Sequence, residues 1–238
     1  MILSNLLTDP SEVVSKVCTA IDKRQLLLLT YLNQHSFNIY SGNGDYRNML
    51  DTKFTVYQAD QGMFLALKYL FGKKINKIDA TAMNQQILDE LIQKQIPLVI
   101  VGGNFNKKFV CDESKTRGIN LVYYRPGYFG EAESESIINE INNLDNRVII
   151  LAMGVPRQEF FAYKISRRTD SKLIICVGNF FEFYFGTKKR APVFIQKIGF
   201  EWWFRLMTEP GRLWKRYLIG IPVFFYNILK VKFSEKRP

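Results

Sequence analysis

Histidine and cysteine are scarce in this chain, and the scarcity narrows its chemistry. Among 238 residues there is one histidine, His35, and three cysteines, Cys18, Cys111 and Cys176. No two cysteines stand in a CxxC spacing, which argues against a zinc site of the Cys/His type. A Ser-His-Asp apparatus would have to use that single imidazole. Isolated thiols fit a reducing compartment better than a disulfide framework. The chain also lacks a GxGxxG run and a Walker lysine loop, so dinucleotide and P-loop readings lose ground. Met1 to Pro10 has neither a charged n-region nor a long apolar run, and no signal peptide is expected. The longest apolar stretch near the end, Tyr217 to Leu229, falls short of the about 20 residues that a spanning helix needs. The sequence therefore reads as cytoplasmic, with room for membrane association.

What the chain has in excess is positive charge, +11 overall, which favours anionic partners. The excess is concentrated. From Thr187 to Pro238 twelve Lys or Arg face three Glu, a surplus of nine. With 47% hydrophobic and 23% charged residues the chain is expected to fold, as one sizeable α/β domain with an appendage.

Asp9-Pro10-Ser11-Glu12 reads as a helix start, with Asp9 capping and Glu12 at the capping-box position. Short apolar runs at Gln25–Leu32, Phe54–Gln58, Pro97–Val101, Ile119–Tyr124, Val148–Met153 and Leu173–Val177 read as strands. Helical patterns separate most of them, and Ser41-Gly42-Asn43-Gly44 reads as a helix-ending turn. Strands alternating with helices imply parallel crossovers, hence a Rossmann-like α/β fold with a mostly parallel sheet and helices on both faces. After Arg190-Ala191-Pro192 the pattern turns aromatic, aliphatic and basic. Residues 1–190 are expected to form the Rossmann-like domain. Residues 191–238 are expected to form a helical, membrane-associating appendage, bent or divided at Pro222.

Ligands of an open parallel sheet bind beyond the carboxyl ends of its strands. Glycine-bearing or polar segments sit there: Tyr31-Leu32-Asn33, Ala59-Asp60-Gln61-Gly62, Gly102-Gly103-Asn104, Pro126-Gly127-Tyr128, Met153-Gly154 and Val177-Gly178-Asn179. Gly102, Gly103, Gly127, Gly154 and Gly178 would let a phosphate approach backbone N–H groups, although tight turns use glycine for structural reasons too. Asp60 stands before a helix, where it is either a cap or a general base. Gln158-Glu159 also stands at a helix start, where it either contacts ligand or caps and complements the helix dipole. His35 and the aromatic set Phe180, Phe181, Phe183, Tyr184 and Phe185 read as packing residues.

Taken in order, Gly154-Val155-Pro156-Arg157-Gln158-Glu159, Val177-Gly178-Asn179-Phe180-Phe181-Glu182-Phe183, Gly186 with Arg190-Ala191-Pro192, Phe200-Glu201-Trp202-Trp203-Phe204-Arg205-Leu206 and Glu209-Pro210 with Arg212 and Arg216-Tyr217 resemble the motifs of the WecG/TagA/CpsF glycosyltransferases. The agreement runs over roughly Leu26 to Tyr217. The resemblance implies an inverting, metal-independent transferase without a cofactor. Such an enzyme moves N-acetylmannosamine, glucose or a similar sugar from a UDP-sugar to an undecaprenyl-diphosphate-linked acceptor in cell-surface polysaccharide biosynthesis. It would work at the inner face of the plasma membrane, a peripheral protein on an anionic surface, and a homo-oligomer is among the assemblies it allows.

The family's base falls on Asp60, and its asparagine and glutamine fall on Asn33 and Gln158. Tyr31 stands where threonine is usual, Lys77 near the place of an arginine, Gln61 for a glycine and Glu182 for an aspartate. The chain has no DxD pair, so charge on UDP is expected to meet Arg190, Arg205, Arg212 and Arg216 and helix N-termini. A catalytically silent scaffold of the same fold is the alternative reading. Nucleic acid, suggested by basic residues among Trp202, Trp203, Trp214, Phe224 and Phe225, is set behind lipid.

Overall fold

The computed structural model of the protein describes residues 2–72, 75–144, 148–192, 194–195 and 199–234. Six strands, β1 (Leu27–Leu32), β2 (Thr55–Gln58), β3 (Leu98–Gly102), β4 (Leu121–Arg125), β5 (Val148–Ala152) and β6 (Leu173–Cys176), form one sheet in the order β2-β1-β6-β5-β3-β4. Every pairing is parallel. The expected α/β class is what the chain adopts, and each expected strand is present within two residues of its expected bounds.

Alternation along the strands explains why helices cover both faces. Leu28, Val99, Val101, Ile149, Leu151 and Ile174 pack against α7 (Glu131–Asn142) and α8 (Arg157–Ser166). Leu29, Leu98, Ile100, Val148, Ile150 and Ile175 pack against α1 (Pro10–Asp22), α5 (Ala80–Gln93) and α6 (Lys107–Thr116). A third cluster gathers around the β2 edge. It includes Phe37 and Tyr40 of α2 (Gln34–Gly42), Met49 and Leu50 of α3 (Gly44–Lys53), and Met63 and Leu67 of α4 (Asp60–Phe71).

One local expectation is corrected and one helix is added. The Ser41–Gly44 turn ends α2 at Gly42 as expected, and Asn43 then accepts the Tyr46 N–H at 2.9 Å and caps a further helix, α3. That helix is polar enough to read as loop, yet Tyr46, Met49 and Leu50 bury one stripe of it. At α1, Asp9 caps through the Ser11 N–H at 2.9 Å, while Glu12 lies 4.0 Å from Lys16 and completes no capping box.

Past the short helix α9 (Phe180–Tyr184) and an irregular stretch over 185–192, helical elements follow: α10 (Glu201–Thr208), α11 (Pro210–Trp214), a π-helical turn Lys215–Ile219 and α12 (Gly220–Ser234). Positions 193, 196–198 and 235–238 of the expected appendage lie outside the described residues. Pro222 does not divide α12. Helix continues through it from the π turn Lys215–Ile219 just upstream, the kind of widened turn that accommodates a proline ring and its missing N–H. Phe224 and Ile228 of α12 are buried in the cluster with Phe37 and Met63. The C-terminal segment therefore shares a core with the sheet domain.

Beneath the strand ends lies a buried polar cluster. Gln158 and Glu159, at the start of α8, have no exposed surface. Thr30 Oγ1 and Gln158 Nε2 each donate to Glu159 Oε1 at 2.8 Å, and Gln158 Oε1 accepts the Gly178 N–H at 2.9 Å. Glu159 Oε2 has no partner among the described residues. Burial pushes the Glu159 carboxyl up to about 7, against the pull of its hydrogen bonds to Gln158 and Thr30. A carboxyl whose folded pKa is raised holds its proton longer than the unfolded chain does. Its stabilising contribution is full below the reference 4.5 and is lost as pH rises through about 7. Glu159→Gln keeps an oxygen to accept both donors, so stability between about pH 5 and 7 should become less pH-dependent. Urea unfolding at a series of pH values checks this, and an unchanged slope would mean the carboxyl is already ionised throughout.

Candidate active site

A cavity of about 350 Å³ opens over the carboxyl ends of β2, β1, β6 and β5, where a parallel α/β sheet is expected to bind ligand. Its floor includes Asn33, Asp60, Gly154 and Gly178, and its far wall is C-terminal, with Trp202, Arg205, Arg212, Arg216 and Tyr217. A smaller cavity of about 120 Å³ adjoins it toward β3 and β4, lined by Gly103, Gly127, Tyr128 and Glu182 among others. Gly154, Gly178, Asn179 and Arg212 border both. The combined space falls within the usual range of small-molecule sites.

Asp60 is the best-determined group there. Its backbone takes φ 74, a left-handed conformation that costs a non-glycine residue about 1 kcal/mol or more. Gln58, fully buried at the end of β2, holds it: Nε2 donates to the Asp60 carbonyl at 2.8 Å, and Oε1 accepts the Ile78 N–H at 3.1 Å. Ile78 in turn accepts the Asp60 N–H at 3.3 Å. The carboxylate then spans two helix starts. Oδ2 accepts the Gln34 N–H of α2 at 2.9 Å, and Oδ1 accepts the Met63 N–H of α4 at 2.9 Å. Burial raises the Asp60 carboxyl above its ordinary value, while N–H groups of Met63, Gln34 and Gly62 and the charge of Arg216 pull the other way. Asp60 thus caps two helix starts, one of the readings its position allowed, and the residue also lines the cavity.

Asn33 also lines the cavity, but its Oδ1 caps α2 through the Ser36 N–H at 2.9 Å, leaving the amide nitrogen to offer. Gln158 sits one layer down and reaches the site through the Gly178 N–H and through the Tyr31 hydroxyl. Gly102, with φ 150, lies behind the lining. A Cβ there would run into the backbone of Ala152, so close strand packing is what demands glycine. Gly178, with φ 63, has the Tyr31 hydroxyl where a side chain would project. Tyr31 fills that space at the cavity floor, and Lys77 and Gln61 stand on the rim.

The four arginines differ in their surroundings. Arg190 Nη2 pairs with Asp79 at 3.1 Å, Arg205 with Glu201 at 2.6 Å, and Arg212 with Glu209 at 2.7 Å. Lys188 bridges Glu182 and Glu209, tying α9 to the C-terminal wall. Arg216 has no carboxylate within ion-pair distance among the described residues; its guanidinium lies 5.9 Å from the Tyr217 ring centroid. It acts electrostatically on Asp60, Tyr31 and His35 alike. Burial and then Arg216 push the His35 imidazole down to about 4, so it is neutral at neutral pH.

Sequence reasoning set His35 among packing residues and passed over Asp79, Glu201 and Gly199, all of which border the cavity. His35 could have been found from its place in the first turn of a helix that follows a strand end. The other three come from segments without strand signals.

A family model described as "Glycosyl transferase WecG/TagA/CpsF family" matches residues 3–238. Among curated proteins, the chain is 28% identical over 176 residues to the N-acetylglucosaminyldiphosphoundecaprenol N-acetyl-beta-D-mannosaminyltransferase of Bacillus spizizenii. That alignment covers 71% of this chain and 66% of the relative, just under two thirds of the latter's length. The match over nearly the whole length places this chain in the WecG/TagA/CpsF family of glycosyl transferases.

Proposed function

We propose that the protein transfers a sugar, with inversion, from a UDP-sugar to an undecaprenyl-diphosphate-linked N-acetylglucosamine acceptor, at the inner face of the plasma membrane. The Bacillus relative's name supports N-acetylmannosamine as the sugar; Tyr31 at the cavity floor keeps glucose or another hexose in the comparison. The observation that carries the reading is the clamped Asp60 carboxylate at the cavity, facing a C-terminal wall with an unpaired arginine.

In this reaction Asp60 takes the proton of the acceptor hydroxyl as its oxygen bonds to the anomeric carbon and the bond to UDP breaks. The glycine-bearing strand ends around Gly103, Gly127 and Gly178 offer close backbone approach to the diphosphate, and Arg212, bordering both cavities, offers charge. The chain has no DxD pair, and in this proposal protein cations and N–H groups meet the charge of the diphosphate. No helix of the described residues is long and apolar enough to cross a membrane. The exposed aromatic and basic C-terminal helices support a peripheral contact instead.

Asp60→Asn retains an oxygen for one of the two helix N–H groups. It should fold at a cost of about 1 kcal/mol while turnover falls by about 10²–10⁴-fold. Turnover near the wild-type rate would remove Asp60 as base and favour the capping role alone. Arg216→Leu removes a cation that lowers the Asp60 pKa, so the acid limb of the kcat/KM–pH profile should move to higher pH; an unmoved limb would separate the two groups. Activity with a panel of UDP-sugars should survive excess EDTA. Loss on chelation, restored by Mg²⁺ or Mn²⁺, would refute the metal-independent part of the reading.

A further inference from the structure

Two exposed helical faces run side by side next to the larger cavity, and only one belongs to the C-terminal segment. On α12 the residues turned away from the core are Phe225, Tyr226, Leu229 and Phe233, between 44% and 66% exposed. On α4, a helix of the sheet domain, Leu65 and Tyr69 are 51% and 52% exposed. Gly62, Leu65 and Tyr69 follow one stripe of α4, at i, i+3 and i+7.

Contacts at both ends show that α12 runs along this stripe. A Cβ on Gly62 would lie 3.6 Å from the Phe224 ring, and Lys232 Nζ donates to the Tyr69 carbonyl at 2.9 Å. The same ammonium sits 4.7 Å from the centre of the Tyr69 ring. Leu65 lies between those two points along α4.

The charge around these faces has one sign. Past Asp60, α4 contains no acidic residue, and α12 contains none. Lys68, Lys230 and Lys232 flank the apolar positions. An apolar strip with lysines on its borders matches an anionic bilayer, in which side chains enter the acyl boundary while ammonium groups stay among phosphates. A second copy of this chain would meet the same lysines with no carboxylate to neutralise them.

We propose that α4 is itself part of the lipid-facing surface, so that the protein docks on anionic membrane through α4 and α12 together. The proposal rests on the membrane-acceptor reading above and extends it into the sheet domain. Its consequence is geometric. At 1.5 Å per residue, Leu65 and Tyr69 lie about 7.5 and 13.5 Å along the helix from Asp60. Seating this stripe in the headgroup layer holds the Asp60 carboxylate, on the same rigid element, at a fixed place beside the lipid surface, where a diphosphate-anchored acceptor must present its hydroxyl.

The test uses the full chain and vesicles of phosphatidylglycerol and phosphatidylcholine in co-sedimentation. Leu65→Asp/Tyr69→Asp is compared with Phe225→Asp/Phe233→Asp, each checked by thermal melting, with Leu65→Ser/Tyr69→Ser as the milder pair if the first melts early. The α4 pair should weaken partitioning by about tenfold or more, the loss expected when two partly inserted apolar side chains are removed. Binding unchanged in the α4 pair but lost in the α12 pair would overturn this inference and leave the peripheral reading standing. A wild-type chain that ignores the vesicles would overturn both. A lipid-free dimer that the α4 pair dissociates, without an effect on vesicle binding, would assign the face to a second copy and also overturn the proposal.

Discussion

The first turns of α2 and α4 point unsatisfied N–H groups at the same place, and a single carboxylate answers both. Parallel strands end side by side, so the helices that follow them begin side by side, with their positive ends converging. At β1 and β2 the converging groups are the N–H of Gln34 and that of Met63, and Asp60 accepts one with each oxygen. Its left-handed backbone is what lets one residue reach both, and Gln58 with Ile78 holds that conformation from below. Placement of Asn33, His35 and Gly62 around the cavity follows, because each lies within a residue or two of those N–H donors.

The sheet domain makes this carboxylate expensive to ionise, and the C-terminal segment supplies the compensating charge. Arg216 is brought to Asp60 by a segment that begins with paired ions, Lys188 with Glu182 and Glu209, then Arg212 with Glu209. Those pairs are partly exposed and individually weak. Their role is geometric: they seat the wall against α9, while Phe224 and Ile228 anchor α12 in the shared core. Glu159 shows the contrast. It is enclosed without a cation beside it among the described residues, and burial pushes its carboxyl up to about 7.

The fold was legible because its signals are strong and local. Runs such as Leu98–Gly102 and Val148–Ala152, buried on both faces, have few alternatives to a central parallel strand. Helix α3 was not, since three buried side chains in ten polar-rich residues give too little periodicity. In the site, Asp60 could be singled out from its place after a strand, but its double cap joins residues 26 apart and is tertiary information. The arginines show the same limit. Composition marks Arg190, Arg205, Arg212 and Arg216 alike, and only the packed wall reveals that three have carboxylate partners and the fourth faces Asp60. Gly102 is the opposite case: a glycine that resembles a ligand cradle in sequence is required by the backbone of Ala152.

Capping and catalysis are often set against each other as explanations of an aspartate at a helix start. In the proposed reaction the first constrains the second. An ionised carboxylate has about four lone-pair positions. Gln34, Met63 and Gly62 engage it through backbone N–H groups, so roughly one position is left to accept a hydroxyl proton. Those three donors belong to helix starts packed in the core, so they cannot swing aside as a side-chain partner could. The direction from which a hydroxyl can approach is therefore set by helix geometry, before any substrate contact is made. A base built this way gains orientation from the same bonds that lower its basicity, and the burial that raises its pKa restores part of what those bonds remove.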